Sequence, residues 1–203
     1  MVAVDVGANV GFHTLVMARC VGATGRVHAL EPEPRNFKLL TRAVEEAGYR
    51  QVRLHRAAAA RATGRELLYV AGDNRGDHRL TPAAEARAHM PVATVALDDL
   101  LAEEPRIDLI KIDVQGAEVD VLAGLTRILS RRPPPELLCE VSPDLLARAG
   151  AGADAFFAPL QRAGLSPHRL ERDGTPLPIS EEDAWRLGAS GGYETFCFTT
   201  TRP

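Results

Sequence analysis

The stretch Val2-Ala3-Val4-Asp5-Val6-Gly7-Ala8-Asn9-Val10-Gly11 constrains the chain more than any other. A β-branched run ends in an acid and two glycines, and an apolar helical pattern (Leu15, Val16, Ala18) follows at once. That order reads as strand, tight turn and helix. Gly7 and Gly11 let the backbone turn sharply and let a ligand approach it closely. The turn leads to a helix N-terminus, where free N–H groups and the helix dipole favour an anionic group. Asp5, at the end of the strand, is expected to point into the same crevice.

This turn differs from the dinucleotide fingerprint G-x-G-x-x-G. Its glycines are four apart, with Asn9 between them and an acid ahead of the first. A carboxylate there repels a pyrophosphate and attracts an amine. S-adenosylmethionine carries an ammonium, a carboxylate and a sulfonium, so it suits this turn better than a nicotinamide dinucleotide does. The plainer alternative is an ordinary strand–helix turn of another α/β protein.

Downstream, the second strand, Arg26 to Leu30, runs into Glu31-Pro32-Glu33-Pro34. Glu31 follows Gly11 by twenty residues (31 − 11), the spacing at which an acid on the second strand of a βαβ unit binds ribose hydroxyls. A solvated strand end is the bland counterpart. A helix is predicted from Arg35 to Ala47, closed by Gly48. The third strand, Val52 to Arg56, runs into four alanines; Ala57 and Ala58 are expected to leave room for an adenine at that strand end, with a plain alanine-rich connection as the equal alternative.

Simple alternation then breaks. Glu66–Ala71 and Val92–Leu97 read as strands, a hairpin or loop insertion at about 65–97 in a single domain of residues 1–203. Between them Asp73, Asn74, Asp77, His78 and Arg79 form a long polar loop, and loops of this length are usually functional or disordered. A fourth strand, Ile107 to Val114, delivers Asp113 to the crevice, since ligands in open parallel sheets bind at the carboxyl ends of strands. A fifth strand spans Glu136 to Val141, and a helix spans about Ala153 to Ala163. Ser166–Leu170 and Thr195–Thr199 are expected as a final antiparallel pair, with Arg172–Gly192 as a loop over the substrate side.

Composition narrows the function. The formal charge of −3 and the 5% aromatic content argue against a nucleic-acid partner, which would favour a basic, aromatic-lined groove. Cys20, Cys139 and Cys197 are far apart in apolar runs and read as buried thiols of a cytoplasmic protein. No apolar run approaches the length of a membrane span, and no signal peptide precedes the first strand.

Three segments together resemble the FkbM-type S-adenosylmethionine-dependent methyltransferases: Asp5-Val6-Gly7-Ala8-Asn9-Val10-Gly11, Ala29-Leu30-Glu31-Pro32, and Ile110-Lys111-Ile112-Asp113-Val114-Gln115-Gly116-Ala117-Glu118. The resemblance covers roughly Val2 to Val141. It implies the class I methyltransferase fold, a Rossmann-like α/β seven-stranded, mostly parallel sheet with an antiparallel last strand. It implies that Asp5, Gly7, Asn9 and Gly11 hold the methionine end of the cofactor and that Glu31 holds the ribose; Pro32, beside Glu31, and Asp113, from its strand end, are further candidate cofactor contacts. It also implies methylation of hydroxyls on natural products, sugars or lipids, as in natural product biosynthesis. Family members commonly carry segments ahead of the first strand that help roof the site. Here that strand starts at residue 2, so a minimal or truncated form is expected.

For a hydroxyl acceptor a proton-taking group helps. His78 is the first candidate, because an imidazole titrates near neutrality, and Asp113 is the second. Asp113 with Glu140 or Asp77 could alternatively hold magnesium, which prefers hard oxygen ligands; these ligands are scattered, and magnesium is the lesser expectation. Two further readings stand beside the small-molecule O-methyltransferase: an RNA methyltransferase and a non-catalytic cofactor-binding scaffold.

Overall fold

A computed structural model describes residues 1–70, 80, 88–190 and 192–200. The elements in chain order are β1 (Val2–Val6), α1 (Phe12–Val21), β2 (Arg26–Leu30), α2 (Pro34–Ala47), β3 (Val52–His55), β4 (Ala58–Ala59), β5 (Gly64–Val70), β6 (Ala88–Val95), α3 (Leu97–Leu100), β7 (Leu109–Ile112), α4 (Glu118–Ala123), α5 (Thr126–Leu129), β8 (Glu136–Val141), α6 (Pro143–Arg148), α7 (Ala153–Ala163), β9 (Leu165–Leu170), β10 (Pro176–Pro178), α8 (Glu181–Ser190) and β11 (Glu194–Thr200).

The main sheet has the order β10-β9-β11-β8-β7-β1-β2-β3. β3, β2, β1, β7 and β8 run parallel to one another, and β11 lies antiparallel between β8 and β9. This is the anticipated mostly parallel α/β sheet with an antiparallel last strand, extended at one edge by the short β10. β4, β6 and β5 form a separate three-stranded sheet.

β1 is central and buried along its whole length. Its alternation sorts the two faces. Val4 and Val6 enter the large core with Leu122, Leu137, Phe156 and Phe198. Ala3 packs on the other face, against Met17 and Ala18 of α1. The strand order reverses between β2 and β7, on either side of β1, and such a switch point opens a crevice at the carboxyl tips.

Several boundaries differ from those the sequence pattern predicts: the fourth strand, expected over Ile107 to Val114, is the shorter β7, Leu109–Ile112, and β5 starts at Gly64, ahead of Glu66. β3 ends at His55, one residue early. β5 and β6 pair from Gly64↔Thr94 to Val70↔Ala88, so β6 begins four residues ahead of Val92, and Leu97 belongs to α3 instead. Arg172–Gly192 is not a loop throughout, because β10 and α8 occupy most of it. Ser180 Oγ accepts from Asp183 N at 3.0 Å and starts α8 as a side-chain cap, while Ala184 and Gly188 bury one face. Cys139 and Cys197 are buried, but Cys20 is exposed on the outer face of α1, together with Val16 one turn earlier.

Candidate active site

A cleft of about 610 Å³, counting the space open to solvent, lies at the carboxyl tips of β1, β2 and β7. One wall is Gly7, Asn9, Glu31 and Pro32. Ala57, Ala58, Ala59, Leu68 and Leu80 form an apolar wall, and Asp113, Val114 and Gln115 close the far end.

The turn after β1 is folded back onto β2. Gly7 N and Ala8 N both donate to the Leu30 carbonyl, at 3.1 and 2.9 Å. Gly7 has φ +78°, and a Cβ built there would sit 1.9 Å from the Asp113 carbonyl oxygen. Only glycine therefore lets the turn touch the tip of β7. Asn9 is also left-handed, with φ 51°.

That conformation aims Asn9 N at Glu31 Oε2, at 2.8 Å, and Glu33 N donates to Glu31 Oε1 at 2.9 Å. Each carboxylate oxygen accepts one backbone N–H and keeps a further lone pair. Burial pushes the Glu31 carboxyl up to about 7, with the two N–H donors pulling the other way. The next acid, Glu33, caps α2 by accepting from Asn36 N at 2.7 Å.

Asp5 and Gly11 are not at the cleft wall. Asp5 shares the parity of Ala3, so it faces α1, fully buried. Thr14 Oγ1 donates to its Oδ2 at 2.6 Å, and its Oδ1 lies 3.2 Å from Lys111 Nζ, an ion contact without hydrogen-bond alignment. Gly11 starts α1 at φ +99° and lies against Leu40, whose Cδ1 is 2.8 Å from a built Cβ.

Two residues that sequence pattern does not single out organise the far end. Lys111 Nζ donates to the Gly7 carbonyl at 3.0 Å and lies 3.5 Å from Asp113 Oδ2. Gln115, left-handed at φ 55°, donates from Nε2 to Asp113 Oδ1 and to Glu140 Oε1, both at 2.8 Å. Asp113 and Glu140 are thus brought together, and burial and Asp113 raise the Glu140 pKa. Among the described residues no group of three or more His, Cys, Asp or Glu is arranged to hold a metal ion. His78 and Asp77 lie outside the described residues.

Glu118 lies behind this corner. Its Oε1 accepts from Gly116 N at 3.1 Å, its Oε2 has no partner, and burial raises it to about 7. The ordinary value is 4.5, so the folded protein keeps a proton that the unfolded chain has lost between those pH values. Ionising Glu118 therefore costs stability as pH rises through that window. Glu118→Gln should gain on the wild type progressively from pH 4.5 to 7, by at most about 3 kcal/mol. Melting temperatures of both proteins across that range check this; a constant difference would contradict it.

The chain matches the methyltransferase FkbM domain over residues 5–161. It belongs to the FkbM methyltransferase family. Two curated relatives are 29% identical: Methyltransferase 1 of Beauveria bassiana over 143 residues, and the hexuronic acid methyltransferase AglP of Haloferax volcanii over 137. The matches cover 60% and 62% of this chain, but 57% and 50% of the relatives, so the chain spans about half their length. Among solved structures, the FkbM methyltransferase of Methylobacillus flagellatus superposes with a TM-score of 0.50 at 20% identity, over 68% of this chain and 32% of that one. An rRNA methylase of Streptococcus thermophilus gives 0.52 at 10% identity, over 99% and 87%. A Streptococcus mutans protein solved with S-adenosylhomocysteine gives 0.50 at 10%, over 97% and 85%. At these identities the structural likeness is one of fold, and that fold is the class I methyltransferase fold.

Proposed function

We propose that this FkbM domain binds S-adenosylmethionine in the cleft and methylates a hydroxyl group of a small molecule, such as a natural product, a sugar or a lipid. The observation that carries the reading is Glu31, a buried acid with a free lone pair on each oxygen at the cleft wall. A ribose diol offers two O–H donors to that pair. The alanines at 57–59, with Leu68 and Leu80, give the adenine a flat apolar wall. Asp113 offers a carboxylate to the methionine ammonium. The name of the Haloferax relative favours a sugar-type acceptor.

The bound cofactor would supply a methyl group already activated on sulfur. The protein's part is alignment and the exclusion of water. His78 is proposed to take the acceptor proton. His78→Ala should slow turnover while leaving cofactor affinity unchanged; unaltered turnover would remove His78 from the mechanism. The reading as a whole is tested by calorimetry with S-adenosylmethionine and S-adenosylhomocysteine, then by methyl transfer to hydroxylated acceptors. A protein that binds neither ligand ends it, and one that binds both yet transfers to no acceptor leaves the scaffold reading in its place.

A further inference from the structure

We propose that Lys111 is the positioning residue of the cofactor cradle and sets the net charge behind the cleft wall that a charged cofactor experiences. Lys111 stands in an otherwise apolar strand, only 8% exposed. It pairs in register with Asp5, so strand alternation puts both side chains on the α1 face. Its ammonium donates to the Gly7 carbonyl at 3.0 Å and lies 3.2 Å from Asp5 Oδ1 and 3.5 Å from Asp113 Oδ2. Those three groups belong to the body of β1, the turn that follows it, and the tip of β7. One cation thus ties together the parts that form two walls of the cleft.

Two carboxylates stand close together here, and one of them, Asp5, is fully buried. Buried like charges repel strongly unless a cation lies between them. With Lys111 in place the group carries one net negative charge; without it, two. The inference rests on reading the cleft as an adenosyl site. It goes further in predicting how that site weighs the positively charged sulfonium against the neutral thioether product.

The test is calorimetry with both ligands on the wild type, Lys111→Met, Lys111→Arg and Asp113→Asn, with melting curves for each. In Lys111→Met the cradle loosens, and affinity for S-adenosylhomocysteine should fall about tenfold or more. Affinity for S-adenosylmethionine should fall less, because its extra positive charge is then held beside a group that has lost one cation. The ratio of the two affinities should therefore shift toward the sulfonium by about threefold or more. Lys111→Arg should return the ratio to the wild-type value. Asp113→Asn removes a partly exposed carboxylate and should shift the ratio the opposite way, so it decides the matter if Lys111→Met does not fold. Equal losses for both ligands, no loss, or an unmoved ratio in Asp113→Asn would overturn the inference while leaving the adenosyl site standing. A wild type that binds neither ligand overturns both.

Discussion

Gly7→Ala should cost this protein on the order of 3–5 kcal/mol, the exceptional end of what single substitutions do. Two independent penalties add. At φ +78° any L side chain is strained, by roughly 1–2 kcal/mol. The greater penalty is steric, because the new methyl would lie 1.9 Å from the Asp113 carbonyl oxygen and 3.0 Å from its carbonyl carbon. Neither is the far end of a flexible side chain, so the turn must lift away from the tip of β7. That movement would also break the contact from Lys111 to the Gly7 carbonyl. Gly48 supplies the control. Its φ is also near that of Gly7, at +71°, its ψ of 21° lies in the left-handed helical region, and nothing lies within 4 Å of a built Cβ. Gly48→Ala should show the backbone strain alone, about 1 kcal/mol. Denaturant melts of the two variants separate strain from clash; equal losses would mean that the approach to Asp113 is looser than described.

The crevice is legible in the sequence because its parts are local. Strand, glycine turn and helix lie within twenty residues, and an acid twenty residues beyond a turn falls at the tip of the next parallel strand. Glu31 and Asp113 can be placed at the cleft from those spacings alone. Asp5 can be identified as important but not aimed. Its direction depends on which face of β1 meets α1, and that is settled by Ala3, Met17 and Ala18 packing together. The signal is present in the period-two pattern, since Val4 and Val6 are large and aliphatic and Ala3 is small. Lys111 is harder. In sequence it is one cation inside an apolar strand, and its partners at 5 and 7 lie more than a hundred residues away. Gln115 is hidden for a different reason: its role comes from a left-handed backbone that sequence pattern does not announce for glutamine. Ser180 and Asp183, by contrast, form a readable capping pair at the head of α8, masked by the prolines and charges of that segment.

Glu31 should govern cofactor affinity, and should do so with a pH signature of its own. Each hydrogen bond from a ribose hydroxyl to an ionised carboxylate is worth about 1.5–3 kcal/mol, so losing two in Glu31→Ala should weaken S-adenosylhomocysteine binding by roughly 10²–10⁴. Glu31→Gln offers one oxygen and one N–H₂ group, and the latter must face either Asn9 N or Glu33 N, both donors. It should therefore also bind weakly. The sign of the pH effect follows from burial, which raises Glu31 to about 7 in the empty site. Below that value the carboxyl is protonated and must lose its proton to receive the diol. Affinity should rise with pH, by up to about tenfold per unit as pH 7 is approached from below, and flatten above it. The nearby His55, held down to about 4 by burial and by its neighbour His28, stays neutral across this window and adds nothing to the slope. In Glu31→Gln most of the rise between pH 5.5 and 7 should be lost. Calorimetric titrations at half-unit steps measure both curves. A wild-type affinity that does not change across that range would mean that the buried acid at the tip of β2 is not what grips the ligand.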